Sequence, residues 1–261
     1  MILYFVDSHI HVSDKVYEKF FKLLFDSMIH LNIQVYSMSE DLDSSFNNID
    51  LKKRYFGKSD LFKAFVGIHP QYATSLLHLE SFNDFFIQNI DNIDGIGEIG
   101  LDPSYTFDNV SNDYGNQKTI FNVMLDIAEK NNMPVSIHSR KSLKDVLEIL
   151  TSFDLKSVVF HWYDGSKAFL RKINDLGYYV SFGPYLLYSE DKKALLNECD
   201  LSLLLLETDG PVYYKRCFEN VVTLPTFIIS LINFISVKLK KDFKEMVDII
   251  YRNSFNYIHT I

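Results

Sequence analysis

Four histidines and two carboxylates stand directly behind short apolar runs, and their types and spacing suit the binding of divalent metal ions. His9 and His11 alternate within Asp7-Ser8-His9-Ile10-His11, so in an extended segment both imidazoles point to one side and can share an ion. Glu98 lies in Gly97-Glu98-Ile99-Gly100-Leu101-Asp102, where flanking glycines allow close backbone approach and leave a carboxylate free to bridge two ions. His138 closes Met133-Pro134-Val135-Ser136-Ile137, and His161 follows Val158-Val159-Phe160. Asp209 stands in Glu207-Thr208-Asp209-Gly210-Pro211, behind Leu203–Leu206. Two divalent ions (Mg²⁺, Mn²⁺ or Zn²⁺) about 3.5–4 Å apart would bridge a water, lower its pKa toward roughly 7 and present hydroxide to a phosphorus or carbonyl centre. Asp209 is expected to act as ligand and base, and Glu98 as the shared ligand.

To converge, these six residues must sit at one end of different strands. Eight β-rich runs recur at Leu3–Val6, Ile33–Ser37, Lys63–Ile68, Gly95–Glu98, Val135–His138, Ser157–Phe160, Tyr178–Phe182 and Ser202–Leu206. Amphipathic stretches separate them, as in Lys15–Leu31, where Val16, Phe20, Leu23, Leu24, Ser27 and Leu31 follow three-and-four spacing. This rhythm predicts an α/β fold of the (β/α)8 TIM-barrel type, whose chemistry sits behind the strand ends. An open doubly wound sheet is less suitable, because Asp7-Ser8-His9-Ile10-His11 occupies the turn where a Gly-rich phosphate loop would lie. One domain over residues 1–261 is expected, closed by helices at Leu224–Leu239 and Asp242–His259, with Asp102–Lys118 as a loop.

A lone histidine after an apolar run is ordinarily a core or loop residue; six donors arriving at one end of different strands are hard to obtain from packing alone. His69, in Gly67-Ile68-His69-Pro70, is expected either to hold a substrate phosphate as imidazolium or to brace the mouth. Asp7 and Glu207 are expected to orient ligating imidazoles. Arg140 and Lys141 are candidates for phosphate contacts, and Trp162, Tyr213 and Tyr214 for base stacking, unless they pair or pack locally. His30, His78 and His259 fall in helical segments and read as surface residues.

The 261 residues are 47% hydrophobic and 23% charged, which excludes disordered and collagen-like classes. A net charge of −8 argues against a long nonspecific polyanion interface and directs a nucleic-acid reading toward DNA ends or short strands held at the metals. Cys199 and Cys217 form no Cys-x-x-Cys motif and suit free thiols in a reducing cytoplasm. Ile2–Val6 is too short for a signal core, and Leu224–Leu239 is interrupted by Pro225 and Asn233. A cytoplasmic protein without membrane association or an obligate protein partner is expected.

These motifs, with Gln117, Phe121, Ser139-Arg140, His161 before Gly165, and Asn253, resemble the TatD-type metal-dependent hydrolases, an amidohydrolase-like branch with nuclease members. The resemblance runs through nearly the whole chain. It implies His9, His11, Glu98 and Asp209 on one ion, and Glu98, His138 and His161 on the other. It also implies a DNase or phosphodiesterase acting on nucleic-acid ends. The alternatives are dinuclear hydrolysis of a small ester, lactone or amide, and a non-catalytic metal-bound scaffold. The chain departs from the family at Trp162-Tyr163-Asp164, where Phe-Ser before the glycine is usual, and at Val212-Tyr213-Tyr214-Lys215-Arg216-Cys217, where Arg-Asn-Glu-Pro is usual.

Overall fold

In a computed structural model describing residues 4–57, 59–108 and 113–259, the alternation of apolar run and amphipathic segment becomes eight parallel strands in chain order. They are β1 (Phe5–Ile10), β2 (Ile33–Ser37), β3 (Phe62–Val66), β4 (Gly95–Gly100), β5 (Val135–His138), β6 (Val158–Phe160), β7 (Tyr179–Phe182) and β8 (Leu204–Leu206). Beyond β8 the chain returns to β1: Asp209 N–H donates to His9 O at 2.9 Å, and His11 N–H to Gly210 O at 2.8 Å. The sheet therefore forms a nearly closed barrel. The helices are α1 (Phe21–Leu31), α2 (Leu42–Leu51), α3 (His78–Asn89), α4 (Tyr105–Asp108), α5 (Tyr114–Lys130), α6 (Leu143–Leu150), α7 (Lys167–Asp175), α8 (Glu190–Leu196), α9 (Phe227–Leu239) and α10 (Phe243–Ile258).

Period-2 alternation divides the strand residues between two apolar regions. Val35, Ala64, Val66, Val158, Phe160, Val180, Leu204 and Leu206 join the layer packed with the helices. Val6, Tyr36, Phe65, Val159, Tyr179 and Leu205 form a separate cluster together with Tyr257 of α10, which closes the end where the strands begin. There the Tyr257 carbonyl accepts from Ser157 Oγ, and Tyr36 Oη donates to Ser254 O at 2.9 Å. Chemistry is left to the opposite end.

The structure corrects several expected boundaries. The first strand is not confined to Leu3–Val6. Leu3 lies outside the described residues, and β1 runs on to Ile10 because Asp7, Ser8 and His9, though polar, are buried with partners. Lys15–Leu31 is a 3₁₀ turn, Lys15–Phe20, followed by α1; Asp14 caps the turn by accepting from Val16 N–H. The expected loop Asp102–Lys118 contains α4 and the start of α5, which Asp113 caps by accepting from Gly115 N–H. Cys199 is a free thiol, whereas the side chain of Cys217 lies outside the described set.

Candidate metal centre

The barrel brings His9, His11, Glu98, His138, His161 and Asp209 together at its mouth. Glu98, on β4 and nearly buried, divides its two oxygens between two groups. Oε2 lies 3.3 Å from His9 Nε2 and 3.4 Å from His11 Nε2, while Oε1 lies 2.8 Å from His138 Nδ1 and 2.7 Å from His161 Nε2. Asp209 Oδ1 faces the first group, 3.3 Å from His11 Nε2 and 3.6 Å from His9 Nε2. His9 also stacks on His161, with ring centroids 3.9 Å apart. Behind Glu98, the left-handed Gly100 (φ +148°) lies so close to β5 that a Cβ there would collide with the His138 carbonyl.

The donor set fits divalent cations. The Nε2 atoms of His9 and His11 are 3.3 Å apart, so at most one of them can carry a proton between them. Among the described residues, three groupings could each hold an ion: His9, Glu98 and His161; His9, His11 and Asp209; and His69, Glu98 and His138. The carboxylates favour the protonated form of two of these imidazoles. Burial opposes charge on His11, but Asp209, Glu40 and Glu98 outweigh it and hold the ring up at about 10. Burial likewise opposes charge on His138, and Asp102 with Glu98 raises it to about 9. His9, fully buried and beside His161, is pushed down to about 4.

His69 belongs to the third grouping, but its hydrogen bonding argues for another task. Its Nδ1 accepts from Gln71 N–H at 3.2 Å, so the neutral ring carries its proton on Nε2, which points toward Glu98 Oε1 at 3.4 Å and His138 Nδ1 at 3.3 Å. Burial lowers its pKa. The ring thus offers a neutral N–H donor to the centre, which differs from the imidazolium alternative for His69 and leaves the brace at the mouth open.

The carboxylates around the ligands sort differently from the sequence expectation. Asp7 touches no imidazole; it accepts from Thr208 N–H at 2.9 Å and Thr208 Oγ1 at 2.5 Å, tying β1 to the backbone beside Asp209. Glu207 accepts from Trp162 N–H at 2.7 Å and from Ser181 Oγ, and its Oε2 stays 3.9 Å from His161 Nδ1, beyond hydrogen-bond length. Burial raises it to about 7. The carboxylate that does meet a ring is Asp102, whose Oδ2 is 3.0 Å from His138 Nε2. Gln117 holds Asp102 in place by exchanging two hydrogen bonds with its backbone. By sequence, Asp102 is only the end of a motif and the start of the expected loop Asp102–Lys118. Ser136, 3.1 Å from His9 Nδ1, was also missed, though it shares a strand face with His138 two residues on.

Arg140 is exposed and makes no ion pair among the described residues. Tyr213 is exposed at the rim, whereas Tyr214 is buried with Trp162 stacked on it. His30, His78 and His259 are exposed on or beside helices, as expected. Among the described residues no helix is long and apolar enough to cross a membrane.

A family profile described as TatD related DNase matches residues 6–259. An uncharacterized metal-dependent hydrolase of Methanocaldococcus jannaschii is 25% identical over 97% of this chain and 96% of its own. The human deoxyribonuclease TATDN3 is 25% identical over 79% of this chain and 77% of its own. The crystal structure of a TatD homologue from Escherichia coli superposes with a TM-score of 0.87 at 20% identity, covering 98% of both chains, and so shares the fold. With the barrel and its mouth of histidines and carboxylates in place, the match over residues 6–259 identifies the chain as a member of the TatD related DNase family, a metal-dependent hydrolase.

Proposed function

We propose that the protein is a phosphodiesterase of DNA ends or short strands, its 261 residues working as one catalytic domain with two divalent ions. The observation that carries this reading is the division of Glu98: one oxygen faces His9 and His11, the other His138 and His161. His9, His11, Asp209 and Glu98 would hold one ion, and Glu98, His138 and His161 the other. Mg²⁺, Mn²⁺ and Zn²⁺ are the candidates. When bound, such ions lower the pKa of water and neutralise charge developing on phosphate oxygens.

The chain's own groups supply the rest. Asp209 takes the proton of the attacking water, since its carboxylate faces the first group and its backbone is held by His9 O. His69 donates its Nε2–H to a phosphoryl oxygen. Arg140, exposed and unpaired among the described residues, meets a flanking phosphate, and Tyr213 contacts the strand at the rim. Asp7 and Glu207 hold the backbones beside Asp209 and His161. The free Cys199 thiol is in keeping with a reducing, cytoplasmic setting.

Incubation with each candidate ion and end-labelled single-stranded DNA tests the reading, with carboxylic esters and lactones as parallel substrates. Cleavage of DNA that drops at least about 100-fold in His138→Ala and Asp209→Ala is expected. No cleavage with any ion, cleavage that survives both substitutions, or activity confined to the carbonyl substrates sinks it.

A further inference from the structure

The geometry points to a nucleobase subsite built on Trp162 beside the metal centre, which takes an unpaired base at a strand end or in a single strand; it rests on the phosphodiesterase reading above. Trp162 is the chain's single tryptophan and directly follows His161. Its backbone occupies the left-handed region (φ 42°), a conformation that bulky residues avoid unless their surroundings impose it. Here they do. Trp162 N–H donates to buried Glu207 at 2.7 Å, and Tyr163 N–H to Ser181 O at 3.1 Å. The Tyr163 carbonyl accepts from Lys192 Nζ, whose side chain is 5% exposed, and Tyr163 Oη donates to Ser166 O at 2.7 Å.

The ring is braced as firmly as the backbone. It stacks on Tyr214 with centroids 5.4 Å apart and planes 14° from parallel. Tyr214 is buried, and its hydroxyl donates to Thr208 O at 2.8 Å, next to Asp209. The indole is thus fastened to the loops of both His161 and Asp209, yet it belongs to neither apolar core and stays only partly covered. The negative charge that the sequence places beside it is neutralised, because Asp164 pairs with Lys192 at 2.9 Å. The loop therefore leaves a partly open indole beside the metal centre without repelling an anionic strand.

Base stacking on an aromatic side chain tolerates any base, because every base has a π face. A base inside a duplex is already stacked, so a rigid platform beside the reacting phosphate favours bases freed at ends.

Emission from the single tryptophan reports on this directly. The ion-loaded protein is titrated with a (dA)₃ trimer carrying phosphorothioate linkages, and with an abasic trimer of the same backbone. Saturable quenching by (dA)₃, with at least about ten-fold weaker binding of the abasic trimer, is expected. By calorimetry, Trp162→Ala should weaken (dA)₃ about ten-fold, with Trp162→Phe between the two should the alanine variant fold poorly. Equal affinity for both trimers, or unchanged (dA)₃ affinity in the folded variants, overturns the subsite. Base-dependent quenching in a protein that cleaves no DNA with any ion keeps the subsite and removes the phosphodiesterase reading.

Discussion

His138 is aimed by a carboxylate 36 residues away in sequence: Asp102 Oδ2, 3.0 Å from Nε2, holds that nitrogen's proton, so Nδ1 is the nitrogen turned toward Glu98 and the one an ion would take. His161 presents the opposite nitrogen, Nε2, to the same oxygen. Two imidazoles thus reach one point through different atoms, a distinction of tautomer and ring orientation. Replacing Asp102 by alanine should weaken the ion held by His138 by about 10–100-fold and leave the other ion bound more tightly. Elemental analysis across a chelator series measures this; equal retention of both ions would show that Asp102 does not orient the ring. The same atomic detail separates His69 from the ligands, because a ring whose Nδ1 accepts from Gln71 N–H cannot also offer Nε2 as a lone pair while neutral.

The strand ends build the mouth, and other elements close the opposite end or pack outside the barrel. Helix α10 closes that end through Tyr257, which stacks near Tyr36 and Phe65 and meets Tyr179 edge-on. The Tyr257 hydroxyl is buried without a partner among the described residues, so Tyr257→Phe should raise stability by about 1 kcal/mol, read as a higher urea midpoint at constant m. A lower midpoint would mean that the hydroxyl is satisfied. On the outer layer, Glu198 behind α8 takes Arg171 Nη2 at 2.5 Å and Lys167 Nζ at 2.9 Å, both from α7. Arg171 first and Lys167 second depress the Glu198 carboxyl from 4.5 to about 2. A depressed acid stabilises the fold above its unfolded pKa, and the contribution disappears as pH falls toward the folded one. The melting-temperature difference between wild type and Glu198→Gln should therefore be small but positive at neutral pH, as for exposed ion pairs, and shrink below about pH 4.5. A difference that grows on acidification contradicts the assignment.

For the whole molecule, the charge of −8 counts Glu98 and Asp209 but not the ions they would hold. An ion that binds only the folded barrel stabilises it by about 2.7 kcal/mol at one hundred times its dissociation constant, so chelation should lower the melting temperature by roughly 5–10 °C. Calorimetry with and without chelator checks this, and no shift would argue against a folded-state metal site. The sequence alone determined the eight-fold rhythm, the eight strand positions to within a few residues, and the placement of His9, His11, Glu98, His138, His161 and Asp209 in or just behind the ends of strands. These are local properties: a period of two, an apolar run and the residue that ends it. Only the tertiary structure decided that Asp102, and not Asp7 or Glu207, meets an imidazole of the candidate metal centre, and that His69 carries its proton on Nε2. It also decided that Lys192 pins the loop of Trp162. Such pairings join side chains far apart in sequence, and no spacing rule specifies them. They exist because closing a sheet of eight strands brings every strand end to one mouth, where loop geometry selects which polar groups lie within hydrogen-bond reach.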